Sequence, residues 1–263
     1  MSSTPRPRRV TEAQLAALPQ RLTPRDRQIA LDCFEHRVLT TGQLERLHFS
    51  APRAGRRRLL TLYELRVLDR FRPRLELGAG SAPYHWVLDQ AGAHIVAAQL
   101  GLPREQLRYS HAAALGLADS SKLAHHVEVN ECLTRLAYDA ARAGGALAEW
   151  YGERTTCELL DRAAVPDAYG VLQLPGREAI HLLVELDRGT EPLDRLTAKA
   201  AAYARALPRS TLADLNPLVL LLVPTQARAA AAAHAIPAGP LHIAVWSAAS
   251  TRSPLAIALE ACR

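Results

Sequence analysis

Between residues 23 and 66 apolar positions recur at helical spacing, and beyond them the pattern switches to short strand-like runs. TPRD at 23–26 is a helix start: Thr23 can cap, Pro24 fits the first helical position and Asp26 complements the dipole. Ile29, Ala30, Cys33 and Phe34 follow as its apolar stripe. TTGQLERLHF predicts a second short helix at 41–48, with a threonine cap and apolar Leu44 and Leu47. A third starts near Ala51 and runs to about Leu65. Its inward stripe is Leu59, Leu62 and Leu65 with Arg66 at the edge, while Arg53 and Arg57 share an outward face one turn apart. VLDRFRPRLEL and APYHWVLD then read as two strands around a turn at GAGS, 78–81, followed by an apolar helix in QAGAHIVAAQLG. Residues 1–20, rich in Pro, Ser and Arg, predict a flexible basic arm ahead of a first domain at 21–101.

Weak periodicity and a polar cluster at 102–121 predict a linker, and 122–263 a second domain. There a helix at 122–143 carries Val129, Leu133, Leu136 and Ala140 on one face. Strands are predicted at 147–156, 165–174, 179–187, 217–223 and 241–247, with helices at 192–207 and 225–235. IHLLVEL and LVLLLV are continuous apolar runs, as strands covered on both faces require. The fold class is therefore α/β (α+β over the whole chain), with a mixed sheet between helices.

Charge narrows the choice of partner. The net charge is +6, and residues 1–74 concentrate it in PRPRR, RLTPRDR, RAGRRR and RFRPR. A localised basic patch suits a polyanion, nucleic acid above all. The four cysteines, Cys33, Cys132, Cys157 and Cys262, lie far apart, without the spacing of a zinc module or a disulfide framework. No N-terminal stretch resembles a signal peptide, and LVLLLV is too short to span a bilayer. A cytoplasmic, nucleoid- or plasmid-associated protein is expected, with no membrane partner and no small-molecule substrate.

Three helices followed by a two-stranded ribbon make the winged form of the helix-turn-helix. Its third helix would present Arg53, Arg56, Arg57 and Arg58 to phosphates or base edges in the major groove, and Arg72 and Arg74 on the ribbon would reach the flanking backbone. Such modules also bind proteins, so an acidic protein partner stays as an alternative. The alanine-rich helix at 225–235 fits equally against its own sheet or against a second copy in a homodimer.

In the second half, VPDAYG sets Pro166-Asp167 on one strand and VELDRG sets Glu185 and Asp187 on one face of the next. Carboxylates so close repel unless a cation sits between them. This order of elements and acids resembles the PD-(D/E)xK nuclease-like fold. The resemblance implies Mg²⁺ or Mn²⁺ held by Asp167 and Glu185, with a third carboxylate from the first helix of the core: Glu128, or failing it Glu131. It departs from that pattern where Asp187 stands in the usual place of a lysine two residues after the glutamate. Lys199, in KAAAY and one of only two lysines in the chain, is the candidate replacement cation.

Taken together, RLTPRDRQIALDCFEHRVLTTGQLERLHF, LYELRVLDRFRP, LAHHVEVNECLTRLA and VPDAYG…VELDRGTEPLDRLTAKAAAYARAL resemble the replication-relaxation proteins of actinobacterial plasmids and mobile elements, over roughly residues 20–225. The resemblance implies duplex-DNA binding in replication, relaxation or mobilisation. Three readings stay open: a DNA-binding protein whose nuclease-like domain is catalytically degenerate, a Mg²⁺-dependent endonuclease or nickase using Asp167, Glu185, Asp187 and Lys199, and a transcriptional regulator that dimerises through its C-terminal domain. The missing lysine favours the first.

Overall fold

The computed structural model describes residues 9–73, 81–237 and 239–262. They fall into two compact units, Met1–Val127 and Glu128–Arg263. The chain is α/β, and among the described residues no helix is long and apolar enough to cross a membrane.

The first unit is built from α1 (Glu12–Ala17), α2 (Pro24–Glu35), β1 (Leu39–Thr40), α3 (Thr41–His48), α4 (Pro52–Glu64), β2 (Leu68–Phe71), β3 (His85–Leu88), α5 (Gln90–Gln99) and α6 (His111–Leu115). Helix α2 starts where TPRD predicts, through a reciprocal cap. Thr23 Oγ1 accepts from the Asp26 amide at 3.3 Å, and Asp26 accepts from the Thr23 amide at 2.6 Å. Thr40 and Gln43 repeat this device at the start of α3. On α4, Leu59 and Leu62 are buried as their spacing predicts. Arg66 follows in the left-handed region, φ 62°, and turns inward to pair with buried Asp89, which caps α5. The first turn of α5 then packs directly on the chain. A Cβ at Gly92 would lie 2.1 Å from the Val67 carbonyl oxygen, so only glycine fits.

The ribbon has three strands in the order β1-β3-β2, all antiparallel. The third is Leu39–Thr40, too short for alternation to reveal it. Residues 78–80 of the predicted turn, and Arg74, lie outside the described residues. Part of the predicted arm forms α1, with Leu18 buried just beyond it. The predicted linker is also structured: α6 and single 3₁₀ turns at Arg104–Leu107 and Gly116–Asp119 occupy it. Leu107 is buried, Ala114 packs with Val38 and Val87, and the Tyr109 hydroxyl donates to the Leu88 carbonyl. Helices of four or five residues cannot show a stripe, which is why the segment reads as aperiodic.

Helix α7 (Leu123–Arg142) carries the chain past the unit boundary. Next come β4 (Ala146–Gly152), α8 (Glu153–Leu159), β5 (Ala168–Gln173), β6 (Ile180–Leu186), α9 (Leu193–Ala206), β7 (Leu218–Val223), α10 (Gln226–Ala235), β8 (Ile243–Ser247) and α11 (Pro254–Ala261). The strand predicted at 147–156 stops at Gly152. There ERTTCEL turns helical, with the Thr156 hydroxyl donating to the Gly152 carbonyl at 2.9 Å.

The sheet order is β4-β5-β6-β7-β8, antiparallel through β6 and parallel from β6 to β8. Val129, Leu133, Leu136 and Ala140 of α7, with Leu255 and Ala258 of α11, cover one face over Leu182, Val184, Leu186, Leu220 and Leu222. Leu196, Tyr203 and Ala206 of α9 and Ala232 of α10 cover the other, over Leu183, Val219, Leu221 and Val223. Both faces being dry, every residue of LVLLLV is buried.

Candidate functional site

In the first unit the arginines of α4 divide by partner. Arg53 and Arg57 are exposed, and among the described residues neither side chain has an ion-pair partner. Arg56 is exposed and donates to Glu45 at 3.0 Å. Arg58 instead turns back into the fold. It grips Asp26 through Nε at 2.9 Å and Nη2 at 2.5 Å, and donates to the Arg21 carbonyl at 3.0 Å. Burial alone would raise the Asp26 carboxyl, but Arg58 and Thr23 outweigh it and hold Asp26 below its ordinary value. Arg72, exposed just after β2, lies over the Tyr84 ring at 3.9 Å.

Sequence spacing misses one cluster here. Asp69, Asp89 and His111 bring their ligand atoms within 4.8 Å of one another, the only group of three or more such residues among those described. His111 Nε2 lies 3.0 Å from Asp69 and 3.5 Å from Asp89. Arg66 already engages both oxygens of Asp89, at 2.6 and 3.0 Å, so the cluster is closed by a guanidinium. These residues stand up to 42 positions apart, and no local pattern connects them.

In the second unit the antiparallel register Ala168–Val184 brings Asp167, just ahead of β5, beside Glu185 of β6. The Asp167 amide donates to the Val184 carbonyl at 3.0 Å, and its Oδ2 accepts from the Leu186 amide at 2.8 Å. Glu185 is 3% exposed, on the sheet face covered by α9. Lys199 Nζ of α9 reaches its Oε1 at 2.5 Å, and the Tyr203 hydroxyl donates to its Oε2. Four residues, one helical turn, separate those two donors, so a single helix face closes over both oxygens.

The electrostatics follow from this packing. Burial, then the neighbouring charge of Asp167, pushes Glu185 up to about 7. Burial alone would lower the Lys199 ammonium, but Glu185, Asp167 and Glu191 outweigh it and raise it above its usual range. Burial, then Glu185, raises the Tyr203 phenol well above its ordinary value, so it stays a donor.

Asp187 shares the sheet face of Glu185 but has a different partner. Its carboxylate is 1% exposed, bound by Arg228 Nε of α10 at 2.5 Å and by the Gly189 amide at 2.8 Å. Arg228 also donates to the Glu191 carbonyl at 2.7 Å, pinning the loop after β6. Glu128 is half-exposed and paired with Arg188 at 3.3 Å, and Glu131 with Arg135 at 2.8 Å. Of the residues singled out from the sequence, the fold thus brings together Asp167, Glu185 and Lys199, and holds Asp187, Glu128 and Glu131 in pairs of their own. Tyr203 completes the first group, and the spacing in KAAAY is the signal that marks it. Arg228 lies 41 residues from Asp187 and has no signal of that kind.

A family model described as replication-relaxation matches residues 33–214, which reaches into both units and includes Asp167, Glu185, Lys199 and Tyr203. No curated protein and no solved structure matches the chain.

Proposed function

The chain belongs to the replication-relaxation family, and from that premise we propose that it acts in replication or relaxation by binding duplex DNA through its first unit. On this reading α2, α3, α4 and the ribbon form a winged helix-turn-helix, and α4 is the helix that enters the major groove. One observation carries it: Arg53 and Arg57 stand exposed one turn apart on α4, with no ion-pair partner among the described residues. A cationic face left unneutralised by the protein suits the phosphate backbone. Arg58 takes no part, because Asp26 holds its guanidinium. In a gel shift with a 30-base-pair duplex, Arg53→Ala/Arg57→Ala weakens binding while Arg58→Lys does not. Equal shifts by wild type and the Arg53/Arg57 variant would remove α4 from the DNA surface.

The second unit is read as a PD-(D/E)xK nuclease-like domain in which Lys199, on the helix, replaces the strand lysine. Asp167 and Glu185 suit a divalent cation, since the charge on one carboxylate raises the proton affinity of the other. These two would hold Mg²⁺ or Mn²⁺, whose chemistry is to polarise a phosphodiester and acidify a bound water. Lys199 and Tyr203 orient Glu185 and keep one positive charge and one hydroxyl donor at its oxygens. Asp187 is excluded from that role by Arg228.

The Lys199 ammonium already neutralises Glu185, and Glu128 stands in a separate ion pair. This favours a domain whose catalytic function is degenerate and whose carboxylates serve architecture. An active nickase is the second reading, supported by the convergence of Asp167, Glu185 and Lys199. Supercoiled plasmid incubated with Mg²⁺ or Mn²⁺ separates the two. Nicking by wild type, lost in Asp167→Ala and in Glu185→Gln, supports the nickase; no cutting by a preparation that still shifts duplex supports degeneracy.

A further inference from the structure

The ribbon carries a second cationic feature, and what the sequence does not reveal is the aromatic ring that its arginines share. In β2 and just beyond it, Arg70 and Arg72 lie two residues apart, so both project from one face of the ribbon. On β3 the register pairs Arg70 with Trp86, and Tyr84 sits two residues before Trp86 on that same face. Both guanidinium carbons lie 3.9 Å from the centroid of the Tyr84 ring. Arg70 also sits 4.6 Å from the ring centroid of Tyr63, on the last turn of α4, and 5.4 Å from that of Trp86. The neighbouring carboxylate, Asp69, is held by His111, and among the described residues no carboxylate pairs with Arg70 or Arg72.

Two cations of like charge therefore share one aromatic ring with no carboxylate paired to either among the described residues. The ring's π face attracts each guanidinium, while the two repel each other. The N–H edge of a guanidinium matches phosphate oxygens in bidentate fashion. A single anion bridging both edges relieves the repulsion. We propose that Arg70, Arg72 and Tyr84 form one preorganised clamp for a backbone phosphate of duplex DNA, in which Tyr84 is the positioning residue. The clamp continues the surface of α4, where Arg56, Leu60 and Tyr63 follow at helical spacing toward Arg70. It depends on the first unit binding duplex DNA, and it adds Arg70 and Tyr84 to the contacting surface.

The test is fluorescence anisotropy of a labelled 30-base-pair duplex with the full chain, titrated at 50 and 200 mM salt. Two guanidiniums engaged on phosphate contribute about 1.8 to the salt slope, at about 0.9 each. Arg70→Gln/Arg72→Gln then binds more weakly than wild type at 50 mM, and the affinity ratio shrinks by about 12-fold at 200 mM. Tyr84→Phe keeps the ring and stays within about twofold of wild type, whereas Tyr84→Ala moves toward the double variant. Circular dichroism and thermal midpoints accompany each protein. If Tyr84→Ala fails to fold, the double arginine variant, which alters side chains at the ribbon surface, still decides the phosphate contact and Tyr84→Leu replaces it as the ring deletion.

A double arginine variant whose salt dependence parallels that of wild type overturns the clamp, provided Arg53→Ala/Arg57→Ala does weaken binding. A folded ring-deletion variant that binds like wild type overturns the positioning role of Tyr84. A wild-type chain that does not bind duplex at all overturns the DNA reading itself, and the clamp with it.

Discussion

Glu185→Gln gives the sharpest energetic prediction. Glu185 is buried between β6 and α9, and its carboxyl moves from the ordinary 4.5 up to about 7 in the folded protein. A carboxyl whose folded value lies above its unfolded one contributes stability that is fully present below the unfolded value. That contribution is lost as pH rises through the folded value. The difference of about 2.5 units, at about 1.36 kcal/mol each, makes wild type lose about 3 kcal/mol between pH 4.5 and about 7 through this group. Lys199, whose ammonium is held above its usual range, stays charged throughout that window and adds only a constant offset.

Glutamine keeps the shape and one oxygen to accept from Tyr203 or Lys199, but it does not titrate. Urea denaturation of both proteins from pH 4 to pH 8.5 therefore gives a stability difference, variant minus wild type, that rises by about 3 kcal/mol, is half complete at about pH 6, midway between the two values, and is flat beyond pH 8. A difference independent of pH would mean that Glu185 ionises alike in the folded and unfolded chain, and that burial does not raise it.

Other substitutions separate support from function. Lys199→Met leaves the Glu185 carboxylate facing Asp167 without its cation; stability falls by about 2 kcal/mol at pH 8 and by less at pH 5, a figure below the full cost of a broken buried pair because the lysine is 41% exposed. Denaturation at those two pH values reads the contrast. Arg58→Ala strands the Asp26 carboxylate, 1% exposed, and costs about 3 kcal/mol at pH 7. Asp26 is held below its usual 3.8, so its contribution is present above that value and lost as the pH falls through the folded one. Melts at pH 3 and pH 7 therefore show the Arg58→Ala deficit shrinking in acid.

Where local chemistry decides an element, the sequence reveals it. Thr23-Pro24 and Thr40 announce helix starts, and a doubly covered strand announces itself as LVLLLV. Lys199 stands out for the same reason: a chain with only two lysines keeps one of them one turn before Tyr203, opposite a buried glutamate. Elements made by tertiary contact are hidden. Strand β1 has two residues and exists because β3 pairs with it, and α6 is held by packing on Val38 and Val87.

Arginine identity also misleads by itself. Four arginines crowd α4, yet the one at 58 belongs to Asp26, 32 residues away. Asp187 shares a strand face with Glu185 as alternation requires, but a long-range arginine takes it. Alternation fixes which way a side chain points; only the fold decides what meets it there.

Salt dependence is the direct test of whether α4 presents Arg53 and Arg57 to duplex DNA. Affinity for one duplex is measured from 50 to 300 mM salt for wild type and for Arg53→Ala/Arg57→Ala. Log affinity falls linearly with log salt for both proteins, with the variant's slope shallower by about 1.8, two phosphate contacts at about 0.9 each. Parallel lines, or a variant as tight as wild type, would contradict that role for α4.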